Sequence, residues 1–67
     1  MVRAGSHLKT VDRALQVLLQ FTREHPEWSS SELARALGVH RSIVYRLLKT
    51  LERRGFVTQT DRQGRFS

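Results

Sequence analysis

Within residues 38–56, GVHRSIVYRLLKTLERRGF, five polar side chains recur at helical spacing: Ser42, Tyr45, Arg46, Lys49 and Arg53. At about 100° per residue they share one arc of a helix, with no acid among them and Glu52 off to the side. An ordinary solvated face mixes signs, because opposite charges three or four residues apart support a helix. A cationic face holding one aromatic suits a polyanion instead. Arginine can read guanine edges in the major groove of a duplex, and lysine or arginine can grip phosphate. The plainer alternative is a basic surface with no partner.

Other residues extend this pattern. His40, Arg41 and Ser42 open the same helix, so they would enter a groove first, although Ser42 reads equally as a helix cap. Tyr45 has the chemistry to stack or to bond a phosphate, or else to pack on the rim of the core. Arg62 and Arg65 flank a turn near the end of the chain; they would reach a minor groove or a backbone, or simply protect a strand edge. Ser29-Ser30-Ser31 begins a helix, where Ser30 and Ser31 can offer hydroxyl and N–H groups to a phosphate. Capping remains that segment's first task. Trp28 reads as core cover rather than as a ligand contact.

The elements that must position these groups follow from periodicity. Thr10 is the expected cap of a first helix over about 10–24, with Asp12 in its first turn. Val11, Ala14, Leu15 and Leu18 form its apolar stripe, widened by Val17 and Phe21. Pro26 disfavours helical geometry at His25 and ends it. Ser29 and Glu32 have the spacing of a capping box for a second helix over 30–37, and Trp28 and Leu33 that of a hydrophobic staple. Gly38 stops the second helix, and Gly55 stops a third over 41–54. Val44, Leu47, Leu48 and Leu51 form the apolar side of the third. The period then changes, giving strands over 56–60 and 64–67 around a turn. Such a hairpin is marginal alone, so it must lean on the helices, with Phe56 and Phe66 as its feet. Residues 1–9 are expected to be a flexible arm. In it Gly5-Ser6-His7 reads as a native lead-in or a cloning scar.

The totals agree with a single small domain. A chain of 67 residues without cysteine has neither a large core nor disulfides to support it. The three histidines are scattered, so no metal site and no cofactor is expected. Residues 1–39 carry five Lys or Arg against four Asp or Glu, and residues 40–67 carry seven against two. The basic excess therefore sits in the C-terminal part, which favours a polyanionic partner. No apolar run approaches a membrane span or a signal peptide, making cytoplasm the default. The serines have no arranged base and the glycines form no phosphate-cradling loop, so an enzyme is not expected.

Between the second and third helices, Ala34, Gly38, Val39, Val44 and Leu47, with Leu33 and Leu37, match the pattern of a helix-turn-helix: a small residue at the crossing, a glycine in the turn, apolar residues filling the contact. On these residues the chain resembles the N-terminal domain of the IclR family of bacterial transcription regulators over about 8–67. The match is carried by Val11-Asp12-Arg13-Ala14-Leu15, Ser31-Glu32-Leu33-Ala34-Arg35-Ala36-Leu37-Gly38-Val39, Arg41-Ser42, Val44-Tyr45-Arg46-Leu47-Leu48, Thr50-Leu51-Glu52 and Gly55-Phe56-Val57. Ile43 departs from the family pattern, in which a small hydroxylated residue is common.

The resemblance implies a mainly α winged helix-turn-helix: three helices and a two-stranded antiparallel wing, occupying residues 10–67. It implies a homodimer on double-stranded, palindromic operator DNA, with the third helix in the major groove and the hairpin as wing. Family members usually carry a C-terminal effector-binding domain; these 67 residues are not expected to include it and read as either an excised DNA-binding domain or a free-standing one. The competing expectation is a winged-helix module that presents its basic face to an acidic protein. Membrane-surface binding is disfavoured, because the third helix's apolar stripe is committed to the core.

Overall fold

The computed structural model describes residues 8–60 and 64–67. In chain order the elements are α1 (Lys9–Gln20), β1 (Trp28–Ser29), α2 (Ser30–Leu37), α3 (Arg41–Arg53) and β2 (Arg65–Phe66). Three helices and a small antiparallel sheet make the fold mainly helical, as a winged helix-turn-helix requires.

α2 forms as its sequence dictates. The Ser29 hydroxyl accepts from the Glu32 N–H at 3.1 Å, and the Glu32 carboxylate accepts from the Ser29 N–H at 3.0 Å. This is the reciprocal capping box, which satisfies two of the donors a helix start leaves unpaired. Ser29→Ala is expected to lower unfolding free energy by about 1 kcal/mol, measured by thermal denaturation of the 67-residue chain. At the other end Gly38 takes φ 68°, ψ 32°, the left-handed conformation that a side chain penalises. At the end of α3, Gly55 takes φ 83°; its N–H donates to Glu52 O and the Phe56 N–H donates to Leu51 O. Those two bonds are a Schellman closure.

The core consists of Val17, Leu33, Val44, Leu47, Leu48, Leu51, Val57 and Phe66. Trp28, Ala34, Leu37 and Val39 pack against it, so the residues of the helix-turn-helix pattern line the crossing of α2 and α3.

Three expectations need correction. First, α1 begins at Lys9, after a Leu8 cap that makes no side-chain bond, so Thr10 is not its cap. It ends at Gln20 rather than near Arg23-Glu24. The Gln20 carbonyl accepts from the Trp28 indole N–H at 3.0 Å, while Thr22 and His25 exchange backbone hydrogen bonds of 3.2 Å. The chain turns back early so that Trp28 reaches the core, and His25 stacks on its ring at 3.6 Å.

Second, α1 is rotated about its axis relative to the expected stripe. Val17 is fully buried, while Val11 and Leu15 are each 53% exposed.

Third, the wing is not a plain hairpin over 56–60 and 64–67. β2 pairs with β1, Trp28 opposite Phe66 and Ser29 opposite Arg65. On its other side it meets residues 58–60 through a Gln59–Phe66 bridge and reciprocal 2.8 Å bonds between Thr58 and Ser67. Phe66 and Val57 are the buried feet, whereas Phe56 is 64% exposed. The Schellman closure accounts for Phe56: it places this side chain outside the helix, beside Leu51 on an apolar groove between α1 and α3.

Candidate nucleic-acid interface

α3 separates its two faces cleanly. Val44, Leu47, Leu48 and Leu51 are buried, and Arg41, Ser42, Tyr45, Arg46, Lys49 and Arg53 are exposed. The core therefore holds the cationic strip outward on a rigid element rather than on a loop.

The first turn of α3 is preorganised. His40, not Ser42, is the cap: its Nδ1 accepts from the Ser42 N–H at 3.2 Å and lies 2.9 Å from the Ser42 hydroxyl. The His40 carbonyl accepts from Ile43 and Val44. Ser42 thereby stays on the outward face with its hydroxyl tethered to the cap. Ser30, at the start of α2, lines one hollow with Arg41, Ser42 and Tyr45. The tertiary fold thus joins the α2 N-terminus to the first turn of α3. Ser31 is exposed but outside that hollow.

The strip is not entirely free cation. Lys49 Nζ lies 2.8 Å from a Glu52 carboxylate oxygen, one turn along α3. That hydrogen bond raises the Lys49 pKa and holds the Glu52 carboxyl below its ordinary range. Arg41, Arg46 and Arg53 have no ion-pair partner among the described residues.

Arg65 is committed inward. Its Nε lies 3.3 Å from a Glu27 carboxylate oxygen, and an outer guanidinium nitrogen lies 3.5 Å from Glu32. The capping bond from Ser29, and then the nearby Arg65, lower the Glu32 pKa. This guanidinium fastens β2 to the start of α2, which sequence spacing did not reveal because 38 residues separate Glu27 from Arg65. Arg62, the other expected wing cation, lies outside the described residues.

Two residues that the sequence reading gave no part in DNA contact lie beside the strip. Thr10 and Arg13 of α1 line a hollow with Ile43, Arg46, Leu47 and Thr50. The only sequence signal was Arg13's position off the apolar stripe. No cluster of His, Asp or Glu suited to a metal occurs among the described residues, and no described helix is long and apolar enough to cross a membrane.

The profile of the IclR helix-turn-helix domain matches residues 10–61, most of the chain. The chain belongs to the IclR helix-turn-helix family. That IclR match covers all three helices almost completely and runs into the wing. The family is one of helix-turn-helix domains and not of enzymes. The chain is also 30% identical over 59 residues to the HTH-type transcriptional regulator XynR of Escherichia coli (strain K12). The alignment covers 88% of this chain and 23% of XynR, so the chain spans less than a quarter of that regulator's length.

Proposed function

We propose that this chain is the sequence-specific double-stranded DNA-binding domain of a bacterial transcription regulator acting in the cytoplasm. α3 enters the major groove, and the wing follows the backbone or minor groove. The observation that carries the reading is the outward strip of Ser42, Tyr45, Arg46, Lys49 and Arg53 on a helix whose other face is core. His40, Arg41 and Ser42 lead into the groove. Ser30 and Ser31 meet a phosphate at the positive end of α2. Lys49 and Arg53 hold backbone, and Arg62 serves from the wing. Arg65 reaches DNA only by leaving Glu27 and Glu32, so its main part here is to hold the wing in place. Family membership and the likeness to XynR support this reading.

The test is titration against random duplex DNA at low salt. Binding that weakens steeply as salt rises is expected, because each neutralised phosphate releases counterions. No detectable binding at about 10⁻⁴ M would sink the reading and favour an acidic protein as the partner of the basic face.

The ion pair on α3 gives a sharper expectation. Glu52→Gln removes an acid beside the strip and releases Lys49 for phosphate. Affinity for random duplex should rise a few-fold at low salt, and the gain should shrink as salt is added. Fluorescence anisotropy over a salt series measures both.

The same reading includes a homodimer on a palindromic operator. Leu8, Val11, Leu15 and Leu19 are all more than half exposed and follow one stripe of α1, the kind of surface a second copy would cover. Leu19 is 75% exposed, so Leu19→Glu should leave the fold intact. It should weaken binding to a two-half-site palindrome while sparing a single half-site. Equal loss on both duplexes would count against pairing through α1.

A further inference from the structure

Besides the apolar groove at Phe56, α3 is flanked by two polar hollows, and the function described above leaves Thr10 and Arg13, on the α1 side, without a part. Ser30, Arg41, Ser42 and Tyr45 line the first, between α2 and α3. Thr10, Arg13, Ile43, Arg46, Leu47 and Thr50 line the second, between α1 and α3. We infer that this second hollow is a seat for a DNA backbone phosphate, gripped by Arg13 of α1, while Arg46 beside it keeps its reach to the bases. The inference rests on the DNA-binding reading and adds a contact residue on a third element.

Three observations carry it. The first is charge. Arg13 and Arg46 have no ion-pair partner among the described residues, whereas Lys49 and Arg65 are both paired. Two guanidinium groups lining one hollow repel each other unless an anion sits between them. Asp12, the neighbouring acid, does not line it.

The second is chemistry. Guanidinium groups match the geometry of phosphate oxygens, and Thr10 adds a hydroxyl donor. The Thr50 hydroxyl already donates to the Arg46 carbonyl at 2.8 Å, which holds that part of the rim in place. Arg13 is half-buried at the helix crossing, so less side-chain freedom is lost when it binds.

The third is the placement of the two hollows. A helix with its side chains is about 10–12 Å across, and the major groove is about 12 Å wide. A helix lying in the groove therefore has one sugar–phosphate backbone along each flank. α2 and its Ser30 lie on one flank of α3; α1 and its Arg13 lie on the other. The two hollows then meet opposite strands. Contacts on both walls fix the rotation of α3 in the groove, which decides the base edges that Arg46 can reach.

The experiment uses Arg13→Gln, which keeps most of the stem but removes the charge, with Arg13→Lys as the charged control. Both should unfold at the same temperature as the unsubstituted chain. On random duplex, Arg13→Gln should reduce the slope of log affinity against log salt by about 0.9, the value of one phosphate contact, and Arg13→Lys should retain it. On a duplex selected from a random pool, single phosphates are then replaced by neutral methylphosphonate. The unsubstituted chain should lose affinity at one backbone position where Arg13→Gln loses nothing further. An unchanged salt slope in Arg13→Gln, or an unchanged map of sensitive phosphates, overturns the seat while leaving DNA binding by α3 intact. Failure of the unsubstituted chain to bind any duplex overturns the DNA-binding reading, and the seat with it.

Discussion

Leu48→Ala is expected to cost about 2–5 kcal/mol of unfolding free energy. Leu48 is fully buried and lies on the inner face of α3, in one cluster with Leu33, Val17 and Phe66. Truncation removes the transfer energy of the lost carbons and leaves a cavity that a close-packed interior fills only in part. The effect is large relative to the whole. At about 0.05–0.15 kcal/mol per residue, a domain of this size has roughly 3–10 kcal/mol in total. No disulfide offsets the loss, since the chain has no cysteine. Urea denaturation followed by helical circular dichroism should show a large fall in the midpoint. Leu19→Ala, at an exposed site, should stay within about 0.5 kcal/mol of the unsubstituted chain. Equal losses at the two leucines would mean that the core has been placed on the wrong side of the helices.

Arg46→Ala should have the largest effect on DNA recognition. If Arg46 reads a base, the loss is about 1–3 kcal/mol on the selected duplex, a factor of roughly 5–150, with relaxed preference at one base pair. Arg46 lies midway along the outward strip, on its α1 flank, and has no ion-pair partner among the described residues, so no internal bond must be broken before it binds. Lys49→Ala should behave differently. Lys49 must first leave Glu52, and as a phosphate contact it should weaken every duplex alike. Arg65→Ala should show itself chiefly in stability, because Arg65 joins β2 to Glu27 and Glu32. Competition assays over single-base variants of a selected duplex separate these outcomes. If Arg46→Ala binds selected and random duplexes as the unsubstituted chain does, α3 is not the reading element.

The helix-turn-helix could be read from local pattern because each signal acts over a few residues. Ser29 and Glu32 are three apart, and their reciprocal bonds form inside one turn. Gly38 and Gly55 mark helix ends through backbone conformation alone. The four apolar residues of α3 are buried as their 3.6-residue period requires. The limits of α1 were less visible. Its end depends on Trp28, eight residues beyond Gln20, and periodicity within the helix carries no trace of that hydrogen bond. Phe56 misled for a related reason: its hydrophobicity suggests core, but the turn at Gly55 directs burial to Val57 instead.

By itself the sequence determined where α2 and α3 end, which side of α3 is core and which side is cationic. Those properties depend on spacing along one element, and hydrophobic burial leaves α3 a single way to face. Lys49 meets Glu52 within one turn of α3, but tertiary structure alone decided that Arg65 is held by acids. Glu27 and Glu32 meet Arg65 only because β2 adds to β1 at the start of α2. It also brought Arg13 beside Arg46, and Ser30 beside Arg41 and Tyr45, by packing α1 and α2 on opposite flanks of α3. Charge in a sequence counts what is available. Ion pairing across the fold decides what is left to offer a partner, because a guanidinium already matched to a carboxylate must give that contact up before it can take a phosphate.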